Sequence, residues 1–280
     1  QAAIAAGAHY LDLADAREFA CGIGELDQAA RQANVLVSSG ASSVPALSAA
    51  VIDQLLPRFS RLDSIWHGIS SSEKTPGVST LAAVLNYCGK PFRQWREGQW
   101  REVYGWQELA AHDFPAPLGR RWLGNCDIPD LELFPARYPG VRDVRFSAGV
   151  GLRVTQFGTW LLSWLVRGGL LRSGVPLAGL LHRGAVLVEP FGDRLSGMFV
   201  KLHGLGADGQ PLGLCWELIA RDNHGPNIPC MAAVALARKL AAGNLEQRGA
   251  MPCMGLLSVD EYLAELEGLQ IEAGLRPCSI

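Results

Sequence analysis

The first 57 residues switch repeatedly between two hydrophobic periods, and this constrains the fold more than any other feature of the chain. HYLDLAD reads as a short buried strand, and ELDQAARQAN sets Leu26, Ala29, Ala30 and Ala33 on one side of a helix. VLVSSG is strand-like again. SVPALSAAVIDQLLP then spaces Val44, Leu47, Val51 and Leu55 helically, with Ser43 expected as N-cap and Pro45 in the first turn. Strands joined through helices are parallel strands, so a parallel sheet with packed helices is predicted.

From about Arg58 the texture changes to aromatic, strand-like segments, RLDSIWHGIS, VRDVRF and GAVLVEPFG, separated by proline-rich connectors. Residues 58–225 are predicted to form an inserted α+β unit with a large mixed or antiparallel sheet. Helical sequence resumes in IPCMAAVALARKLAAG and again at SVDE, where Ser258 and Glu261 have capping-box spacing. Residues 226–280 are therefore read as helices returning to the layer begun by residues 1–57, giving an α/β protein with a second domain inserted.

GLGADG places Gly204, Gly206 and Gly209 in a dinucleotide-binding spacing, but that motif works only between a strand and a helix. Here both flanks alternate, Met198, Val200 and Leu202 before it and Leu212, Leu214, Trp216 and Leu218 after it. Pro211 and Gly213 occupy the place where the cofactor helix would begin. The glycines are read as the tip of a β-hairpin.

A net charge of −2 without a long basic run gives no footprint for nucleic acid. FGTWLLSWLVRGGLL carries Arg167 and is too short to cross a membrane, so it is expected to be a packed amphipathic helix, and no membrane partner is expected. Seven cysteines without a CxxC pair suit a reducing cytoplasm, and neither they nor the histidines show metal-ligand spacing, so no metal is expected. No GxSxG elbow surrounds a serine. QAAIAA reads as the last turns of a helix ended by Gly7, from which the natural chain is expected to extend upstream.

In their order along the chain, AAIAAGAHYLDLADAREF, SGASSVPALS, EKTPGVSTLAAVLNYCGKPFRQWREGQW and CDIPDLELFPARYPGVRDVRFSAG resemble the saccharopine dehydrogenase family, in particular its bacterial saccharopine dehydrogenase-like oxidoreductases. The resemblance implies a Rossmann-type domain, partial here, interrupted by an inserted catalytic and dimerising domain. It implies NADP or NAD as cofactor, hydride transfer at a carbon bearing nitrogen in an amino-acid-like small molecule, and a candidate homodimer through the middle sheet. The family normally opens with a strand and a glycine-rich phosphate loop. That opening is absent, so cofactor binding by these residues alone is expected to be too weak to measure readily. The rival reading is a noncatalytic binding or scaffolding protein that retains the fold.

Ligands of open α/β sheets bind beyond the carboxyl ends of strands. Leu13, Ala14 and Asp15 follow the first strand and are expected to border the nicotinamide ribose; Asp15 as a plain turn cap is the bland alternative. Ser39 and Gly40 end the second strand and join this cofactor group. Ser42 and Ser43 are placed as binders of a polar substrate end, against a mere capping role for Ser43. Arg17, Lys74 and Thr75 complete the substrate side, although a lone Arg or Lys more often makes a surface pair. His224, in DNHGP, is the candidate proton carrier, with a backbone-bonded loop histidine as its alternative. His9 is read as structural, and Tyr104, Trp106, Trp160 and Trp164 as core or interface aromatics.

Overall fold

The computed structural model describes residues 1–71, 75 and 77–278. The chain opens with a short helix α1 (Ala2–Ala5), strand β1 (Tyr10–Leu11), helices α2 (Arg17–Gly22) and α3 (Asp27–Gln32), strand β2 (Leu36–Ser39) and helix α4 (Ser48–Leu55). Then follow β3 (Phe59–Ser71), α5 (Val78–Tyr87), the hairpins β4 (Pro91–Arg96)/β5 (Gln99–Tyr104) and β6 (Ala110–Asp113)/β7 (Arg120–Asn125), α6 (Asp130–Arg137) and β8 (Asp143–Val150). Helices α7 (Arg153–Arg167) and α8 (Ala178–Val188) precede the hairpin β9 (Ser196–Gly206)/β10 (Pro211–Ala220). The chain continues through α9 (Met231–Ala241), β11 (Gly249–Pro252), α10 (Val259–Ala264) and β12 (Ile271–Pro277).

Two sheets result. The smaller is fully parallel, in the order β1-β2-β11, with Val37 opposite both Tyr10 and Ala250. Its two faces divide the apolar residues of one strand: Val35 and Val37 pack with Ile23 and Ala30, while Leu36 joins the main core. The larger sheet has nine strands, β12-β10-β9-β3-β8-β4-β5 with β7 on β8 and β6 on β7, and only the β3/β8 pair is parallel. Helix α4 links the layers, because Ala49, Ala50, Val51, Ile52 and Leu55 are all buried in one core with Ile65, Phe146, Val200 and Leu202 of the large sheet. This is the expected Rossmann-like parallel sheet beside a second unit built on a large mixed sheet.

GLGADG forms the β9/β10 turn: Gly206 N donates to the Gln210 carbonyl at 2.8 Å, and Gly209 takes φ +75°, which favours glycine. The capping box at Ser258 and Glu261 is also formed, at 3.1 and 2.8 Å.

Four expectations need revision. GAVLVEPFG is not strand-like: residues 184–188 form the end of α8, and Glu189–Phe191 add a 3-10 turn. Ser43 caps nothing: Val44 is extended, and the regular helix starts at Ser48. Residues 226–280 are not all helical, since β11 completes the parallel sheet while β12 pairs antiparallel with β10 in the large one. The FGTWLLSWLVRGGLL helix is amphipathic in the opposite sense to a packed core helix. Gln156, Ser163 and Val166 face inward, whereas Val154, Phe157, Leu161 and Trp164 are exposed. Gln156 fits inside because its side-chain oxygen accepts from Val150 N at 2.9 Å. Among the described residues no helix is long and apolar enough to cross a membrane.

The central strand β3 tolerates only glycine where it passes Ser147 and Phe199. A Cβ at Gly68 would strike the Ser147 carbonyl oxygen and the Phe199 ring. Gly68→Ala is expected to destabilise the fold by about 1–3 kcal/mol. Gly184→Ala, on the open side of α8 with nothing near an added Cβ, should leave the midpoint unchanged or raise it slightly. Urea unfolding of the two variants checks both.

Candidate functional site

The carboxyl ends of β1 and β2 are fastened by one side chain. Asp12 Oδ1 accepts from Ala14 N at 2.9 Å, Ser39 Oγ at 2.8 Å and Gly40 N at 3.1 Å. A carboxylate holding three donors is a strong local anchor. It sends the chain after β2 inward, where Ser42 and Ser43 are buried, and it sends the chain after β1 outward toward the solvent.

Beyond the end of β1 lies a cleft of about 890 Å³. Asp15, from the β1–α2 turn, and Arg17 and Glu18, from the first turn of α2, meet Thr80, Val84 and Tyr87 of α5, the start of β4, and the segment from Cys126 to Ile128. Tyr87 Oη and Cys126 Sγ are 3.0 Å apart. Burial pushes the Cys126 thiol up to about 12 and raises the Tyr87 phenol well above its ordinary value, so both keep their protons at neutral pH. Cys21, also in the cleft, is pushed up to about 11, first by burial and then by Glu132. These thiols are not thiolates and are poor nucleophiles.

The cleft is acidic. Its lining carries five carboxylates, Asp15, Glu18, Glu102, Asp127 and Glu132, against the two guanidiniums of Arg17 and Arg93. Arg17 is already engaged: it pairs with Asp127 at 2.5 Å and Glu132 at 3.6 Å, donates to the Arg93 carbonyl at 3.0 Å, and lies over Phe92. Burial raises the Asp127 carboxyl above its usual range, against the pull of Arg17. No ion pair among the described residues involves Asp15 or Glu18, which leaves a surplus of negative charge for a cationic group.

Of the described residues picked from the sequence, only Asp15 and Arg17 line this cleft. Leu13 is exposed but does not line it, and Ala14 is turned back onto Asp12. Ser39 and Gly40 are held by Asp12, and Gly40 packs against Pro45. Thr75 N donates to a Glu189 carboxylate oxygen at 3.0 Å, while Lys74 lies outside the described residues. His224 Nδ1 accepts from Gln270 N at 2.7 Å, which fastens the loop before α9 to β12, and His224 does not line the cleft. Sequence reasoning missed Tyr87, Cys126 and Asp127. Tyr87 and Cys126 meet across 39 residues of chain, and no local pattern announces that encounter.

A second polar cluster was also unseen. His112 Nε2 and Glu217 Oε1 are 2.7 Å apart, Arg276 grips both Glu217 oxygens at 2.6 and 2.9 Å, and the imidazole stacks on Phe199 at 3.9 Å. Cys215 brings a third donor atom within 4.8 Å of the other two. Against the upward push of burial, the Arg276 guanidinium and the His112 nitrogen together hold the Glu217 carboxylate below its usual range. This cluster pins β12 to β10 and β6, while His112 Nδ1 is buried without a hydrogen-bond partner.

No family model matches the sequence, and no curated protein sequence matches it either. Among solved structures the chain is similar to the apo histidine-tagged saccharopine dehydrogenase (L-Glu forming) from Saccharomyces cerevisiae. The likeness has a TM-score of 0.64 at 11% identity and covers 98% of this chain and 81% of that one, which shows a shared fold.

Near the cleft, where α4, β3 and α6 converge, two titratable groups are sealed in the core. Asp130 Oδ2 lies 2.5 Å from Ser48 Oγ and 3.7 Å from His67 Nδ1, and both Asp130 and His67 are fully buried. Burial pushes the Asp130 carboxyl up to about 7 and the His67 imidazole down to about 3. A neutral Asp130 can donate to Ser48 Oγ, freeing that hydroxyl for the Pro45 carbonyl 3.2 Å away. The stability supplied by Asp130 is full below pH 3.8 and lost as pH rises to about 7; that supplied by His67 is full above pH 6.5 and lost as pH falls to about 3. The two slopes oppose each other between about pH 4 and 6.5. Asp130→Asn should expose the His67 slope, with stability falling by a few kcal/mol as pH drops through that window. His67→Phe should expose the reverse slope. Denaturant midpoints across the window measure both.

Proposed function

We propose that the chain forms the substrate cleft of an NAD(P)-dependent oxidoreductase of saccharopine dehydrogenase type, acting at a carbon bearing nitrogen in an amino-acid-like substrate. The observation that carries this reading is the acidic cleft at the carboxyl end of β1, within a fold shared over 98% of the chain with a saccharopine dehydrogenase. Ligands of such sheets bind at strand ends, and a surplus of carboxylates favours a protonated amine. In this reading Asp15 and Glu18 attract the amine, the Arg17–Asp127 pair shapes the wall, and the protonated Tyr87 and Cys126 offer neutral hydrogen-bonding groups beside the substrate. Ser39, Gly40, Ser42 and Ser43 act from behind by fixing the strand ends, and His224 acts on the loop before α9.

The described residues do not fit a dinucleotide's pyrophosphate. The backbone N–H groups of Ala14 and Gly40 at the strand ends are taken by Asp12, and GLGADG is a hairpin tip. Helix α2 has only six residues, with Asp15 and Glu18 at its start, where an anion would be repelled. Binding of NAD(P) by these residues alone is therefore immeasurably weak in this reading. The same closed strand ends favour a second reading, a noncatalytic protein that binds an amine-bearing ligand on this fold.

Calorimetry tests the cleft. An amino acid with a side-chain amine should bind more tightly than the keto acid of equal length that lacks both amines, and the double variant Asp15→Asn, Glu18→Gln should weaken it about fivefold. Equal binding of the two ligands would remove the basis for the substrate class. Micromolar affinity for NADPH would overturn the statement on the cofactor.

A further inference from the structure

Exposed apolar side chains are not scattered evenly over this protein. Among the described residues, eleven of the sixteen large hydrophobic side chains with high exposure fall between Val150 and Phe191, the segment that holds α7 and α8. On α7, Val154, Phe157, Leu161 and Trp164 recur at intervals of three, four and three, which places them within about 80° of arc on one side of the helix. On α8, Leu180 and Leu187 lie seven residues apart and are 69% and 76% exposed. A soluble surface seldom presents so much apolar area without a partner.

Charge says which partner. Between Gly151 and Val188 the sequence holds four arginines, one histidine and no acidic residue, in a chain whose net charge is −2. Arg153, Arg172 and Arg183 are exposed, and none of them is in an ion pair among the described residues. Arg153 flanks the α7 stripe, and Arg183 falls on the same side of α8 as Leu180 and Leu187. Apolar residues edged by unpaired arginines, with a tryptophan among them, are the chemistry of a helix lying in a lipid headgroup layer. At 15 and 11 residues the two helices are too short to span one. A second copy of this chain is a poor occupant, since both halves of a two-fold contact through this face would carry the same excess of positive charge, with no acidic residue between Gly151 and Val188 to offset it.

We propose that α7 and α8 form a docking surface for an anionic lipid bilayer, on which the protein rests without crossing it. This departs from the sequence-based expectation of no membrane partner, and it does not depend on the chemistry of the cleft.

The test is sedimentation of the full chain with phosphatidylcholine vesicles and with mixed phosphatidylcholine–phosphatidylglycerol vesicles. The protein should pellet with the anionic vesicles, stay in solution with the neutral ones, and be released by high salt. Arg153→Glu, Arg172→Glu and Arg183→Glu together should weaken binding about tenfold or more. Leu161→Ser with Trp164→Ser should also lower it, and far-ultraviolet circular dichroism should find both variants folded, because every altered side chain is exposed. Tryptophan emission of the unaltered protein should shift to the blue on anionic vesicles. Equal affinity for both vesicles, binding untouched by charge reversal, or a dimer that the Leu161→Ser, Trp164→Ser variant turns into a monomer while the unaltered protein ignores vesicles would each overturn the proposal.

Discussion

One carboxylate oxygen organises the end of the parallel sheet. Asp12 Oδ1 collects donors from Ala14, Ser39 and Gly40, so the two strand ends that could have offered free N–H groups are satisfied internally. The concave space is displaced as a result to the far side of Asp15, where α5 and the segment leading into α6 complete it. Where the anchor lies thus decides both what the cleft can bind and what the strand ends cannot.

Much of the architecture was legible because it rests on period. The switch between strand and helix spacing foretold the parallel sheet, alternation on both sides of GLGADG foretold a hairpin, and Ser258 with Glu261 foretold a helix start. What escaped has physical reasons. Strand β12 is an edge strand whose middle residues, from Glu272 to Leu275, are all exposed, so it shows no buried face to read. Ser43 looked like a cap, yet the extended Val44 delays the helix to Ser48. Helix α7 had the right amphipathic spacing, but spacing does not say which side faces the core, and the Gln156 oxygen and the Ser163 hydroxyl, both buried, find local bonds.

The site was legible only along the β1–α2 turn. Asp15 and Arg17 could be chosen because strand ends are where ligands gather, but their partners come from distant parts of the chain. Arg17 illustrates the limit. An arginine at a strand end suggests an anion in the ligand, whereas the folded chain supplies Asp127 and Glu132 itself and inverts the charge left for the visitor.

The thiols also differ in reach. Cys88, Cys126, Cys215 and Cys253 are buried, with burial pushing each up to about 12, and Cys21 is only partly accessible at about 11. Cys230, just before α9, is the exposed cysteine. A maleimide dye applied briefly at neutral pH will therefore favour this position, giving a fluorescent reporter at the join between the large sheet and the returning helix without engineering the other six.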